Sequence, residues 1–217
     1  MWEVNDATLK VNFFYYSNTY FAFPTIYHKF TLWQREMYIA EHPFESSGYI
    51  QTSTGNIVSR KATIARPQGL EIPAGKVYIA DNVQIRSDLA SVQLQKYVYI
   101  DEHAVIRPSC TISQPIKYIP SSIGANTYVG KGSIIEAACI GIGCEIGMNC
   151  VLQARCILKD YVKVLDDAFV LPDMVLPPFA IVAGSPAKII GFRPESAVAL
   201  ASIEATGRYE SLVPIKN

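Results

Sequence analysis

Histidine is scarce and charge is thin. Only three of the 217 residues are His, 18% are Asp, Glu, Lys or Arg, and 19 basic groups face 19 acidic ones. A balanced chain without basic runs lacks the concentrated Lys and Arg that phosphate backbones require, which excludes nucleic acid as a partner. A membrane span is also missing. The most promising uncharged stretch, residues 11–27, carries Asn12, Ser17, Asn18, Thr19, Pro24 and Thr25, which hydrocarbon rejects. Glu3 and Asp6 offset Lys10, and no compact apolar run follows, so no secretory leader is expected. Five cysteines, an odd number without a leader, read as free thiols in a reducing cytosol. What the chain does have is apolar material: half of it is hydrophobic, enough to fold, and its length suits one domain or one domain with a tail.

The aromatic residues are unevenly placed. Of 24, 11 lie between Trp2 and Trp33, including the block Phe13, Phe14, Tyr15 and Tyr16, with neither helical nor strand periodicity. Residues 1–36 therefore read as an N-terminal extension outside the fold and not part of the working protein. A partner-binding arm is the alternative.

Beyond it runs a six-residue ruler. Ile140, Ile146, Leu152, Leu158, Val164, Val170, Leu176 and Val182 follow one another at intervals of six. Ile, Leu and Val make up about a quarter of the chain, so eight in a row arise by chance about once in 10⁴ to 10⁵ trials. Shorter pieces precede it: Ile79 and Ile85; Leu94, Ile100, Ile106 and Ile112; Ile123, Val129 and Ile135. The position four after each is small or slim, and it takes every cysteine: Cys110, Cys139, Cys144, Cys150 and Cys156. The position one after is Gly at 124, 130, 141 and 147. Neither a helix nor a plain amphipathic strand has this period. It predicts an all-β fold, a left-handed parallel β-helix. Six residues form one face, three faces close a coil, aliphatics fill the interior and Gly or Asn takes the corners.

Residues 57–182 at 18 per coil predict about seven coils. Ile112 to Ile123 is too long a step, so Ser113–Ser122, with two prolines, is expected to leave the solenoid as a loop, with Lys117 and Tyr118 exposed. Pro194 and Glu195 start a C-terminal α-helix, Gly207 stops it, and it is expected to cap an open solenoid end. The predicted organisation is an extension at 1–36, β-helix at 37–187, and helix with tail at 188–217.

The repeat resembles that of the γ-class carbonic anhydrases over residues 77–188, with Ile85-Arg86-Ser87-Asp88-Leu89-Ala90 similar to a segment that supports packing in that family. The family holds zinc with three His. The matching positions here are Arg107, Lys131 and Glu136, and a guanidinium cannot ligate zinc. Lys131 and Glu136 are expected to form a surface ion pair. The chain is also similar to hexapeptide acyltransferases, which use a His base; the only His within the repeat is His103, read as a surface corner residue. No catalytic, cofactor-binding or metal residue is assigned, and no cofactor. The runner-up reading is a homotrimeric enzyme of one of these two kinds.

A third resemblance covers more of the chain, residues 49–212. Tyr49-Ile50-Gln51-Thr52-Ser53-Thr54-Gly55-Asn56-Ile57-Val58-Ser59-Arg60 is similar to the opening segment of the dynactin subunit 5 family. The similarity extends through Val105-Ile106-Arg107-Pro108, Arg155-Cys156-Ile157-Leu158-Lys159-Asp160 and Val175-Leu176-Pro177-Pro178-Phe179. In that family Arg107 is the expected residue, and members begin where Met37 stands. The resemblance implies a non-catalytic subunit of dynactin, the cofactor of dynein in microtubule-based transport. It implies a place at the pointed end, paired with subunit 6 and beside subunit 4 and the pointed-end actin-related protein, where cargo adaptors dock. The implied setting is the cytoplasm and cytoskeleton, with kinetochores a possible further site, and no membrane insertion.

Overall fold

Each hexad makes one short strand of mostly two or three residues and one corner. The ruler residue of each strand faces inward and meets the ruler residue of the next turn in parallel register. On the first face the column runs Val58, Ile79, Ile100, Val129, Ile146, Val164 and Val182. On the second it runs Ile64, Ile85, Ile106, Ile135, Leu152 and Val170. On the third, Leu94, Ile123, Ile140, Leu158 and Leu176 stack likewise. Nearly all of these are fully buried, each contributing about 1.5–3 kcal/mol of apolar burial. The computed structural model describes residues 42–111 and 115–215, within one unit spanning 38–217. The block at 1–36 lies outside the described residues.

The result is a parallel β-solenoid with nine strands on the first face and six on each of the others. Six turns are complete, and Ala180–Ala183 opens a seventh that goes no further. The expected seven coils assumed 18 residues per turn throughout. Register gives 21 residues from Val58 to Ile79, 21 to Ile100 and 29 to Val129, before settling at 17 or 18. The excursion at 107–120, with three extra residues in each of the first two turns, uses up the missing turn.

The corners work differently from expectation. The left-handed backbone falls three residues after the ruler position, and Asn, Asp, His, Tyr, Arg or Phe usually occupies it, as at Asn82, His103, Asn126, Arg155, Tyr161, Asp167 and Phe179. Gly124 and Gly141 do not have positive φ. They are Gly because the turns approach too closely for a side chain: a Cβ on Gly124 would stand 2.5 Å from the Gly141 carbonyl carbon, and one on Gly141 would meet the Asp160 backbone nitrogen at 2.7 Å.

The predicted loop is displaced. Its excursion runs from 107 to 120, with Ser121 and Ser122 already in the strand Ser121–Ile123. It is a narrow hairpin: Thr111 N donates to Lys117 O, Ile119 N donates to Ser109 O, and Cys110 bridges Tyr118. Backbone pairing begins at Ser109, earlier than the two prolines indicated.

The helix spans Ala197–Glu210 and does not cap an end. The first face is closed at both ends by antiparallel strands instead, Tyr49–Gln51 on Ile57–Ser59 and Lys188–Phe192 on Ala180–Ala183. The helix runs back along a corner. Ala197, Ala201 and Ala205 are buried, and Ala201 reaches Gly143, where a Cβ would be 3.0 Å away. Small residues every fourth position let the helix axis lie close to the corner. Gly207 does not stop it, because Arg208 lies over the Tyr128 ring at 4.6 Å and Tyr209 packs edge-on against Tyr97. The chain then forms Leu212–Ile215, which pairs in parallel with His42–Glu45. No helix among the described residues is long and apolar enough to cross a membrane.

Candidate docking surfaces

Arg107, Lys131 and Glu136, the residues the resemblance to γ-class enzymes singled out, follow strand ends on the outer surface. Arg107 and Glu136 follow the paired strands Val105–Ile106 and Ile134–Ile135, so they sit on successive turns and form an ion pair. Glu136 is only 14% exposed. Lys131 pairs with Glu102 at 2.7 Å. The expected Lys131–Glu136 pair does not form, because a partner one turn away stands directly opposite, and register decides which charges meet. The two pairs Arg107–Glu136 and Lys131–Glu102 each join successive turns. His103 is exposed at its corner, with φ 58°. Among the described residues, no three His, Cys, Asp or Glu side chains converge as a metal site.

A second charged element holds the hairpin. Arg155, in the left-handed corner two turns on, grips Asp173 with two bonds of 2.6 Å and donates from Nη1 to the Cys110 carbonyl at 2.9 Å. The Arg155 guanidinium holds the Asp173 carboxyl below its ordinary range. Beneath the hairpin the corner from Ile135 to Ile140 is one residue short and carries Ala137 and Ala138. The returning arm presents Ile116 at 64% exposure and Tyr118 at 44%, with Lys117 between them.

The cysteines divide into two groups. Cys144, Cys150 and Cys156 are buried, and burial pushes the Cys144 and Cys156 thiols up to about 12 and raises Cys150. Cys110 is half-buried at the hairpin base, and Cys139 is exposed. The short corner is the reason: a five-residue step places Cys139 immediately before Ile140, where side chains point out. Cys139 and Cys156 therefore occupy opposite sides of the sheet, and all five thiols are free.

One feature escaped sequence reasoning. Tyr78, Tyr99 and Tyr128 each precede a ruler residue and line up outside the first face. Their rings stack at 4.5 and 5.6 Å, and Tyr49 and then Phe44 extend the row at 5.9 and 5.2 Å. Tyr49 and Tyr78 hydroxyls are 3.1 Å apart, and Tyr128 donates to Asp101 at 2.9 Å. Burial raises all four phenols, Tyr78 to about 12. The signal was present as Tyr at the position before the ruler, but the unequal turn lengths hid the alignment.

The described residues form a solenoid with flat faces, a projecting hairpin and a lateral helix. The family model described as Dynactin subunit 5 matches residues 37–217. The chain belongs to the dynactin subunit 5 family. A relative named Dynactin subunit 5 from Dictyostelium discoideum is 39% identical over 99 residues, 45% of this chain and 50% of the relative, so the alignment spans about half of each. Among solved structures, an AntD variant, an N-acyltransferase from Bacillus cereus, superposes with a TM-score of 0.58 at 15% identity, covering 68% of this chain and 86% of that one. The acetyltransferase domain of PglB from Neisseria gonorrhoeae gives 0.50 at 16%, covering 62% and 57%. At these identities the likeness is one of fold. The dynactin subunit 5 family thus shares its hexapeptide-repeat solenoid with enzymes.

Proposed function

We propose that the chain is a non-catalytic structural subunit of dynactin, placed at the pointed end and supporting dynein activation and cargo-adaptor binding. The observation that carries the reading is the family match over residues 37–217, joined to the Arg107–Glu136 and Lys131–Glu102 pairs where an enzyme of this fold would place metal ligands. A guanidinium and an ammonium engaged with carboxylates have no free base to offer a substrate. Rigid stacked turns serve shape recognition instead.

In this reading the partners are dynactin subunit 6, subunit 4, the pointed-end actin-related protein and dynein cargo adaptors. The setting is cytoplasmic and cytoskeletal, with kinetochores a further site. The hairpin, with Lys117 and Tyr118 exposed on its returning arm, is a contact. Residues 1–36, outside the family match, are dispensable for folding. Affinity purification of the tagged chain from cells tests the whole reading. Dynactin chains, including a second β-helix, should co-purify. Recovery of the chain as a lone homotrimer, with one zinc per chain or acyltransferase activity, would overturn it.

A further inference from the structure

The C-terminal helix carries no charged residue on its outward side until Glu210, although Ser202 and Thr206 are polar there. Ala197, Ala201 and Ala205 pack inward, so at about 100° per residue the opposite side is formed by Ala199, Ser202, Ile203 and Thr206, flanked by Val198 and Leu200. Ile203 is 66% exposed, Leu200 44% and Val198 43%. A surface helix ordinarily carries charge on its solvent side, and one that is apolar all round is a buried helix. Between Glu195 and Glu204 no residue is charged, and Glu204 turns aside to pair with Arg208 at 3.7 Å.

The charges at the two ends of this face are both acidic. Glu195 precedes the helix and Glu210 ends it; both are exposed, and neither forms an ion pair among the described residues. Glu210 lies only within longer electrostatic reach of Lys76. The two carboxylates are 15 positions apart, roughly 22 Å at the rise of a helix. An apolar strip closed at each end by a free carboxylate is complementary to a helix with an apolar stripe and a cation near each end.

We infer that the outward face of Ala197–Glu210 is an interaction surface for an amphipathic helix of a partner chain, laid along it with basic residues opposite Glu195 and Glu210. The uncharged centre rejects polar occupants by desolvation, and small residues at 199 and 202 admit close approach. The inference extends the docking role above and does not depend on dynactin membership.

The test uses the full chain and a designed 18-residue amphipathic peptide, with leucines at three- and four-residue spacing and lysines 15 apart, followed by fluorescence anisotropy. Saturable binding is expected. Ile203→Glu should weaken it at least tenfold. The double variant Glu195→Lys with Glu210→Lys should reverse the preference toward a peptide with glutamates in place of the lysines. All three positions are exposed, so unchanged thermal melts are expected for the variants. Absence of saturable binding, or binding indifferent to Ile203→Glu, overturns the inference. So does a homodimer in sedimentation velocity that Ile203→Glu dissolves, since the occupant would then be a second copy of this chain.

Discussion

At the residue scale, the interior position four after the ruler does more than fill space. Thr127 Oγ1 donates to Gly141 O at 3.1 Å, Ser133 Oγ to Gly147 O at 2.8 Å, Cys144 Sγ to Lys159 O and Cys150 Sγ to Leu165 O, each at 3.1 Å. In every case the acceptor is the carbonyl one place after the ruler residue of the next turn, where the corner leaves the strand. The small polar side chain satisfies a buried carbonyl in a tight bend. Ser133 also accepts from Cys150 N at 3.0 Å. Ser133→Ala should therefore cost about 1–3 kcal/mol, read as a lowered denaturant midpoint with unchanged m-value. Thiol labelling of the native protein should proceed fast at Cys139, slowly at Cys110 and not measurably at Cys144, Cys150 and Cys156; rapid reaction at a buried site would contradict the packing. The interior cysteines were legible from the ruler. Cys139 was not, because one missing residue at the 135–140 corner reverses the direction of its side chain.

Among the elements, the tyrosine row and the helix behave as an outer layer on the first face. The tyrosine row sets an alkaline limit. In the unfolded chain these phenols ionise near 10, while in the fold burial holds Tyr78 to about 12 and raises its neighbours too. Their folded values lie above the unfolded ones, so the stabilisation is full below pH 10 and is lost as pH climbs from there through about 12. A phenolate absorbance titration should show these rings ionising together with unfolding. Ala201→Leu should lift the helix from Gly143 and destabilise by about 1–3 kcal/mol, with amide exchange rising first in Leu212–Ile215. The helix itself was legible from Pro194 and Glu195. Its position was not: small residues announce close packing but not against which corner, and Arg208 and Tyr209 find Tyr128 and Tyr97 only once the turns are stacked.

For the whole molecule, periodicity made the architecture readable, and the failures lie where the period breaks. The ruler columns appear as expected from Ile79 to Val182, while the turn count fell to six because the hairpin excursion and two long early turns consume the residues of one coil. Lys131 found Glu102 and not the expected Glu136, since pairing across turns depends on register that no single turn reveals. A chain beginning at Met37 should melt with the same cooperativity and midpoint as the full one, by calorimetry. A broadened or lowered transition would show that residues 1–36 contribute to stability.

The pairing of His42–Glu45 with Leu212–Ile215 has a mechanical meaning. The two strands are parallel, so tension that enters at His42 and leaves at Ile215 pulls on opposite ends of the ladder. Its hydrogen bonds are then loaded together in shear and do not open one after another as in a zipper. Force applied through the chain ends must rupture this clasp before it reaches the first or the last turn, and the stacked prism beyond it is shielded from tension.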